Sequence, residues 1–145
     1  MVYFISDAHL GSRALTSTRT RERRLVNFLD AIKHKATAVY MLGDMFDFWF
    51  EYRNVVPKGY TRFLGKVSEL TDHGVEVHFF IGNHDMWCRD YFERECGVKL
   101  IFKPQQMRLY GREVFIAHGD NMNIKGQPML RLLNWVFRSR VLRFL

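Results

Sequence analysis

"YMLGDMFDFWF", Tyr40–Phe50, decides the reading of this chain. It begins as an apolar run, turns at Gly43, and then sets Asp44 and Asp47 three residues apart among aromatic side chains. A short apolar run that stops at glycine reads as a buried strand ending in a turn. Carboxylates in apolar surroundings cost free energy unless a cation meets them. The stretch therefore predicts a strand end, and beyond it something cationic that the two acids face.

The same pattern recurs on either side. "VYFIS", Val2–Ser6, reads as a buried strand that stops at Asp7, and "TAVYML", Thr37–Leu42, as a second. "VEVHFFI", Val75–Ile81, is a third, running into Asn83, His84 and Asp85. Between them lie two helical patterns. In Thr16–Lys35 the residues Leu25, Phe28, Leu29 and Ile32 recur at helical spacing, and "RTRERR", Arg19–Arg24, reads as a solvated face. In Gly59–Gly74 the residues Phe63, Leu64, Val67 and Leu70 point inward, with Gly74 as C-cap. Met86–Cys96 reads as a short helix closed by Gly97. Val98–Phe102 and Gln105–Gly119 read as strands, the latter a hairpin turning at Gly111. Strand–helix–strand alternation predicts a layered α/β fold with helices packed on a central sheet.

In this reading every polar motif follows a strand: Asp7 and His9 the first, Asp44 and Asp47 the second, Asn83–Asp85 the third, His118 the last. Ligand sites of open α/β sheets lie beyond the carboxyl ends of the strands. Residues i and i+2 at a strand end can point the same way, so Asp7 and His9 can grip one ion. Asp, His and Asn together suit Mn²⁺, Fe²⁺ or Zn²⁺ better than Ca²⁺, because imidazole is a borderline donor. An Asp between two ions can bridge them, and two ions roughly 3.5–4 Å apart clamp a phosphoryl group and lower the pKa of a shared water. Asp44 is the expected bridge. Asp47, further along the turn, is expected to orient a histidine, with His84 as the partner. Gly43, Gly82 and Gly119 would let the backbone turn sharply beside the ions.

The motifs "SDAHLG", "GDMFDFW", "GNHD" and "HGD", in that order, resemble those of the calcineurin-like metallophosphoesterases. Within that superfamily the intervening stretches "AVYMLGDMFDFWF", "HGVEVHFFIGNHD", "YFERECGVKLI" and "LYGREVFIAHGD" look most like the UDP-2,3-diacylglucosamine hydrolases of lipid A biosynthesis. The resemblance implies two divalent ions, Mn²⁺ first and Zn²⁺ or Fe²⁺ as alternatives. One would be held by Asp7, His9 and Asp44, the other by Asp44, Asn83 and His118. It implies hydrolysis of the pyrophosphate of UDP-2,3-diacylglucosamine to UMP and 2,3-diacylglucosamine 1-phosphate. Asp47 and His84 would be the catalytic pair, with Arg13, Asn83 and His84 touching substrate. That family has Arg where this chain has His84. "GNHD" matches the wider superfamily, in which the His pairs with the second acid of "GDxxD" and stabilises the transition state. The family's "GHxH", one His per ion, is absent, and the chain is expected to be incomplete. Residues 1–126 would be the core. Residues 127–145, with Met129, Leu130, Leu133, Val136, Phe137, Val141 and Phe144 on one broad helical side, would begin a cap that meets acyl chains or a membrane surface.

Bulk properties narrow the rest. With 145 residues, 48% hydrophobic and 15% aromatic, the chain has the makings of one folded domain with a core. A net charge of +7 favours anionic partners, here a nucleotide-linked lipid and an anionic membrane surface, with nucleic acid the lesser reading. Cys88 and Cys96 read as free thiols, and the N-terminus lacks the pattern of a signal peptide; both point to a cytoplasmic protein, which the segment 127–145 would place peripherally at the inner membrane. Another phosphodiesterase or nuclease of the superfamily, or a metal-poor scaffold without catalysis, are the competing functions.

Overall fold

A computed structural model of the protein describes residues 1–15 and 17–119. Four strands, β1 Val2–Ile5, β2 Ala38–Met41, β3 Glu76–Phe80 and β4 Lys99–Ile101, form one sheet in the order β1-β2-β3-β4. All three pairings are parallel, with Ile5 opposite Met41, Met41 opposite Phe79, and Phe80 opposite Ile101. Parallel neighbours need long crossovers. Helices α1, Thr18–Ile32, and α2, Thr61–Asp72, supply the first two, and the short α3, Tyr91–Cys96, the third. β5, Gln105–Leu109, and β6, Arg112–Ile116, pair antiparallel as a separate hairpin. Its turn residues Tyr110 and Gly111 both have positive φ, the conformation that two-residue hairpins require.

Alternation along the strands divides the core in two. Val39, Met41, Val77 and Phe79 face the helices, where they join Leu29, Ile32, Phe63, Val67, Leu70 and Phe92. Ala38, Tyr40, Phe80 and Ile101 point to the other face, where Ile116, Met107, Leu109 and Val114 of the hairpin cover them. A strand buried on both faces reads as an unbroken apolar run, as "AVYM" does. The layered α/β architecture expected from the sequence is the one observed.

Three details differ from the sequence reading. The helix expected over Met86–Cys96 begins only at Tyr91. Trp87 is instead paired in a bridge with Phe50, and the Glu51 carboxylate takes the N–H groups of Asp90 and Tyr91 at 3.0 and 3.2 Å, which sets where the helix starts. Phe28 is exposed rather than inward, resting edge-on against Tyr3. "RTRERR" is not a uniformly solvated face. Glu22 is buried and accepts the N–H groups of Arg62 and Phe63 at 3.1 and 3.2 Å, so α1 caps the N-terminus of α2. Asp120 and the cap segment 127–145 lie outside the described residues. Among the described residues no helix is long and apolar enough to cross a membrane.

Candidate metal centre

The loops that follow β1 and β2 run on side by side beyond the strands. The N–H of Asp7 donates to Gly43 O at 3.2 Å, that of His9 to Asp44 O at 3.0 Å, and that of Leu10 to Met45 O at 3.0 Å. Asp7, His9 and Asp44 all take positive φ, of 54°, 41° and 52°. Left-handed backbone is costly for residues with a Cβ and persists where the surroundings impose it. These three sit at the rim the sequence motifs marked.

The third loop locks onto the second through side chains. Asp85 is fully buried, and its two oxygens accept the N–H groups of Met45 at 2.9 Å and Gly82 at 2.7 Å. Burial pushes the Asp85 carboxyl up to about 6, against the pull of those N–H groups and with the added push of the Asp44 charge. Gly82 passes so close to the second loop that a Cβ on it would lie 2.3 Å from Asp44 Oδ1 and 2.7 Å from the Asp44 backbone nitrogen. Gly43, at φ 90°, has His118 Nδ1 2.5 Å from where its own Cβ would be. No residue larger than glycine fits at either point without displacing a loop.

Asp44 is the hub. It is only 5% exposed, and its Oδ1 accepts the His84 backbone N–H at 3.0 Å. Its Oδ2 faces three imidazoles: His118 Nε2 at 3.4 Å, His9 Nε2 at 3.8 Å and His84 Nε2 at 4.0 Å. Two of those rings have a set tautomer. His118 Nδ1 donates to the Leu42 carbonyl and His84 Nδ1 to the Asp47 carbonyl, each at 2.7 Å, because a carbonyl can only accept. In its neutral form each ring turns a bare Nε2 lone pair toward a carboxylate oxygen; in its protonated form it donates there instead. Acceptors facing acceptors repel unless a cation sits among them. One such cation is a proton: burial pushes the Asp44 carboxyl up, but hydrogen bonds from His118 and the His84 backbone and the charges of His118 and His84 bring it below the usual carboxylate range. A divalent ion would meet such lone pairs, and carboxylate with imidazole is the donor set that borderline divalent metals take.

Asp7 lies 3.8 Å from His9 Nε2 and accepts a short hydrogen bond from the Ser6 hydroxyl. Asn83 Oδ1 lies 3.3 Å from His118 Nε2. The rim thus brings Asp7, His9, Asp44, Asn83 and His118 together. It also adds His84, whose ring meets that of His9 edge-on and whose Nε2 falls with His9 and Asp44 in one tight group. Asp47 differs from expectation in how it acts. It holds His84 through its backbone carbonyl, while its carboxylate lies 3.6 Å from His9 Nδ1. Arg13 is exposed on the loop after Leu10. Phe46 and Trp49 are fully buried as core, whereas Phe48, beside Asp47, is exposed and touches Trp87 edge-on.

Sequence reasoning missed the supporting shell. It consists of Arg21, Glu22 and Glu51. Glu22 falls on the same helical stripe as Leu25, Leu29 and Ile32, so its burial was legible in the spacing. Glu51 has no such signal, since its partners Trp49, Asp90 and Tyr91 meet it only in the fold.

Comparison with known proteins places the chain. The calcineurin-like phosphoesterase family matches residues 1–137. A UDP-2,3-diacylglucosamine hydrolase of Porphyromonas gingivalis is 49% identical over 99% of this chain and 55% of its own length. The enzymes of that name from Edwardsiella ictaluri and Vibrio vulnificus are 31% and 35% identical, over 97% and 93% of this chain and 55% and 57% of theirs. The chain spans about half the length of these curated relatives. A crystal structure of a protein of unknown function from Aquifex aeolicus shares the fold, with a TM-score of 0.55 at 16% identity over 94% of this chain and 72% of that one. With the match running through every strand end that carries a rim residue, the chain belongs to the calcineurin-like phosphoesterase family.

Proposed function

We propose that this chain forms part of a two-metal hydrolase that cleaves the pyrophosphate of UDP-2,3-diacylglucosamine, releasing UMP and 2,3-diacylglucosamine 1-phosphate. The observation that carries the reading is the Asp44 Oδ2 ringed by three imidazole nitrogens within 4.0 Å, two of them the Nε2 of rings whose Nδ1 is held by a backbone carbonyl. Relatives 49%, 31% and 35% identical over 93% or more of this chain carry that enzyme's name.

Asp7, His9 and Asp44 would hold one divalent ion, Asp44, Asn83 and His118 the other, with Mn²⁺ as the resident metal. When bound, the pair of ions supplies charge neutralisation at the phosphoryl oxygens and an acidified water. Leu42 and Asp47 carbonyls fix the tautomers of His118 and His84, so that Nε2 is the working atom of each. His84, half-buried at the edge of the group, would reach the phosphoryl oxygens and, as an imidazolium with protons on both nitrogens, donate from Nε2 as the transition state gains charge. Asp47 would support this from its backbone, with its carboxylate set against His9. Arg13 would meet a substrate phosphate, and the family's nucleotide-linked lipid would be taken up at an anionic, cytoplasmic membrane face that a +7 chain favours. Segment 127–145 would contact acyl chains.

The test is turnover of UDP-2,3-diacylglucosamine with and without Mn²⁺, followed by phosphorus NMR, beside UDP-glucose and single-stranded DNA as substrates lacking acyl chains. Metal-dependent release of UMP from the acylated substrate alone supports the proposal. Equal cleavage of DNA would favour the nuclease reading, and uptake of no metal would end the two-metal reading.

A further inference from the structure

The loop that bears Asp7 and His9 spends its N–H groups in one direction and its carbonyls in another. Asp7, His9 and Leu10 donate across to Gly43, Asp44 and Met45. The N–H of Ser12 turns back to His9 O, and Leu10 O accepts the N–H of Asp47 at 2.9 Å. The carbonyls of Ala8 and Ser12, and the second lone pair of His9 O, are met from α1 by a half-buried guanidinium. Arg21 Nη1 donates to Ala8 O at 3.0 Å and, in a short hydrogen bond, to His9 O; Nη2 donates to Ser12 O at 2.8 Å and reaches Thr18 Oγ1 on its own helix at 3.4 Å.

From this geometry we infer that Arg21 is a positioning residue for the first ion: its guanidinium holds the backbone of residues 8–12 in the left-handed turn that aims His9 and Asp7 at Asp44. The inference rests on the two-metal reading of that site. Three carbonyls on two arms of one planar fork need arginine; an ammonium concentrates its donors at one point and cannot span Ala8 and Ser12 equally. The clamp acts by shape and not by charge, since a cation this near an ion site repels the ion. His9, at φ 41°, is the strained residue of the turn and the one whose carbonyl Arg21 holds. The other ligand group, Asn83 and His118, hangs on β3 and β6 and has none of these contacts to Arg21 among the described residues. Glu22, the next residue, turns the other way and caps α2, which makes it the natural control.

The experiment is calorimetric titration of Mn²⁺ into the 145-residue chain and its variants Arg21→Met, Arg21→Lys and Glu22→Gln, with Asp7→Asn marking which binding step belongs to the first ion. Amide hydrogen exchange at Leu10 and Ser12 is followed on the metal-free proteins. The expected result is that Arg21→Met weakens the step marked by Asp7→Asn by about 10–100-fold, the range for groups that orient ligands, and leaves the other step unchanged. Arg21→Lys should recover part of the loss. The Leu10 and Ser12 amides should exchange faster in Arg21→Met and stay protected in Glu22→Gln, even though Glu22→Gln lowers the melting temperature. Equal weakening of both steps, or the same pattern in Glu22→Gln, overturns the inference in favour of a general loss of stability. A wild-type chain that takes up no Mn²⁺ refutes the two-metal proposal instead, and the exchange rates of the two amides then decide the clamp alone.

Discussion

Two clusters of acids in this molecule meet their positive charge differently. On the helical layer, Lys33 pairs with Glu69 at 2.5 Å and Asp30 at 3.6 Å, and Lys66 pairs with Asp30 at 2.6 Å and Glu69 at 2.5 Å. The chain itself supplies the cations, and the network ties α1 to α2. At the strand-end rim the partners of Asp44 Oδ2 among the described residues are imidazoles, two of them held with Nε2 toward it by backbone carbonyls on Nδ1. A cluster closed by its own lysines is complete and serves stability. A cluster of acceptors with no lysine or arginine paired to Asp44 Oδ2 among the described residues is the arrangement a divalent cation would complete.

The sharpest way to break that contrast is at Asp44. Asp44→Ala should abolish metal uptake at both positions, a loss well beyond the roughly 100-fold that orienting groups cost, as read by metal analysis of the purified variant. Retention of one ion at wild-type affinity would show that Asp44 serves only one position.

His84→Ala separates holding the metal from using it. Turnover should fall on the order of 100- to 1,000-fold, as when one hydrogen-bond donor to a developing oxyanion is removed, while metal content stays the same. Because His84 Nε2 lies in the same tight group as His9 and Asp44, loss of metal in this variant would make it a ligand and move it to the other side of the comparison.

Gly82→Ala tests whether the rim is held open by close backbone approach. The new methyl would lie 2.7 Å from the Asp44 backbone nitrogen, and the forced shift should cost about 1–3 kcal/mol. At about 2–4 °C of Tm per kcal/mol, a thermal melt detects it, and metal affinity should fall with it. An unchanged melt would mean that the two loops are not in fixed contact.

The smallest effect belongs to the cluster that the chain closes itself. Lys33 and then Lys66, by hydrogen bonding, pull the Glu69 carboxyl from 4.5 to about 2. A carboxyl lowered by folding stabilises fully above its unfolded value and loses that contribution as pH falls toward the folded one. The Tm difference between wild type and Glu69→Gln should therefore be constant above about pH 5, shrink between pH 4.5 and 2, and narrow with salt at neutral pH, as exposed pairs do. A difference that persists at pH 2 would assign the effect to packing.

The layers and the rim were legible in the order of residues along the chain. "AVYM" and "VHFF", His78 apart, are apolar on both faces, so they read as inner strands, and each is followed within three residues by Gly and a chemistry-bearing residue. That local order is enough to bring Asp7, His9, Asp44, Asn83 and His118 to one edge. Tertiary structure alone decided what each polar group does there. Oδ1 of Asp44 is spent on a backbone N–H and Oδ2 is left for the imidazoles. Asp47 holds His84 by its carbonyl and turns its carboxylate to His9. Glu51 and Arg21 act on backbone groups brought to them from elsewhere in the fold. The reason is physical: apolar burial is set by residue type and period, which are local, whereas a hydrogen bond is set by where a particular backbone atom has no other partner. That becomes definite only when separate stretches of chain have been packed against each other.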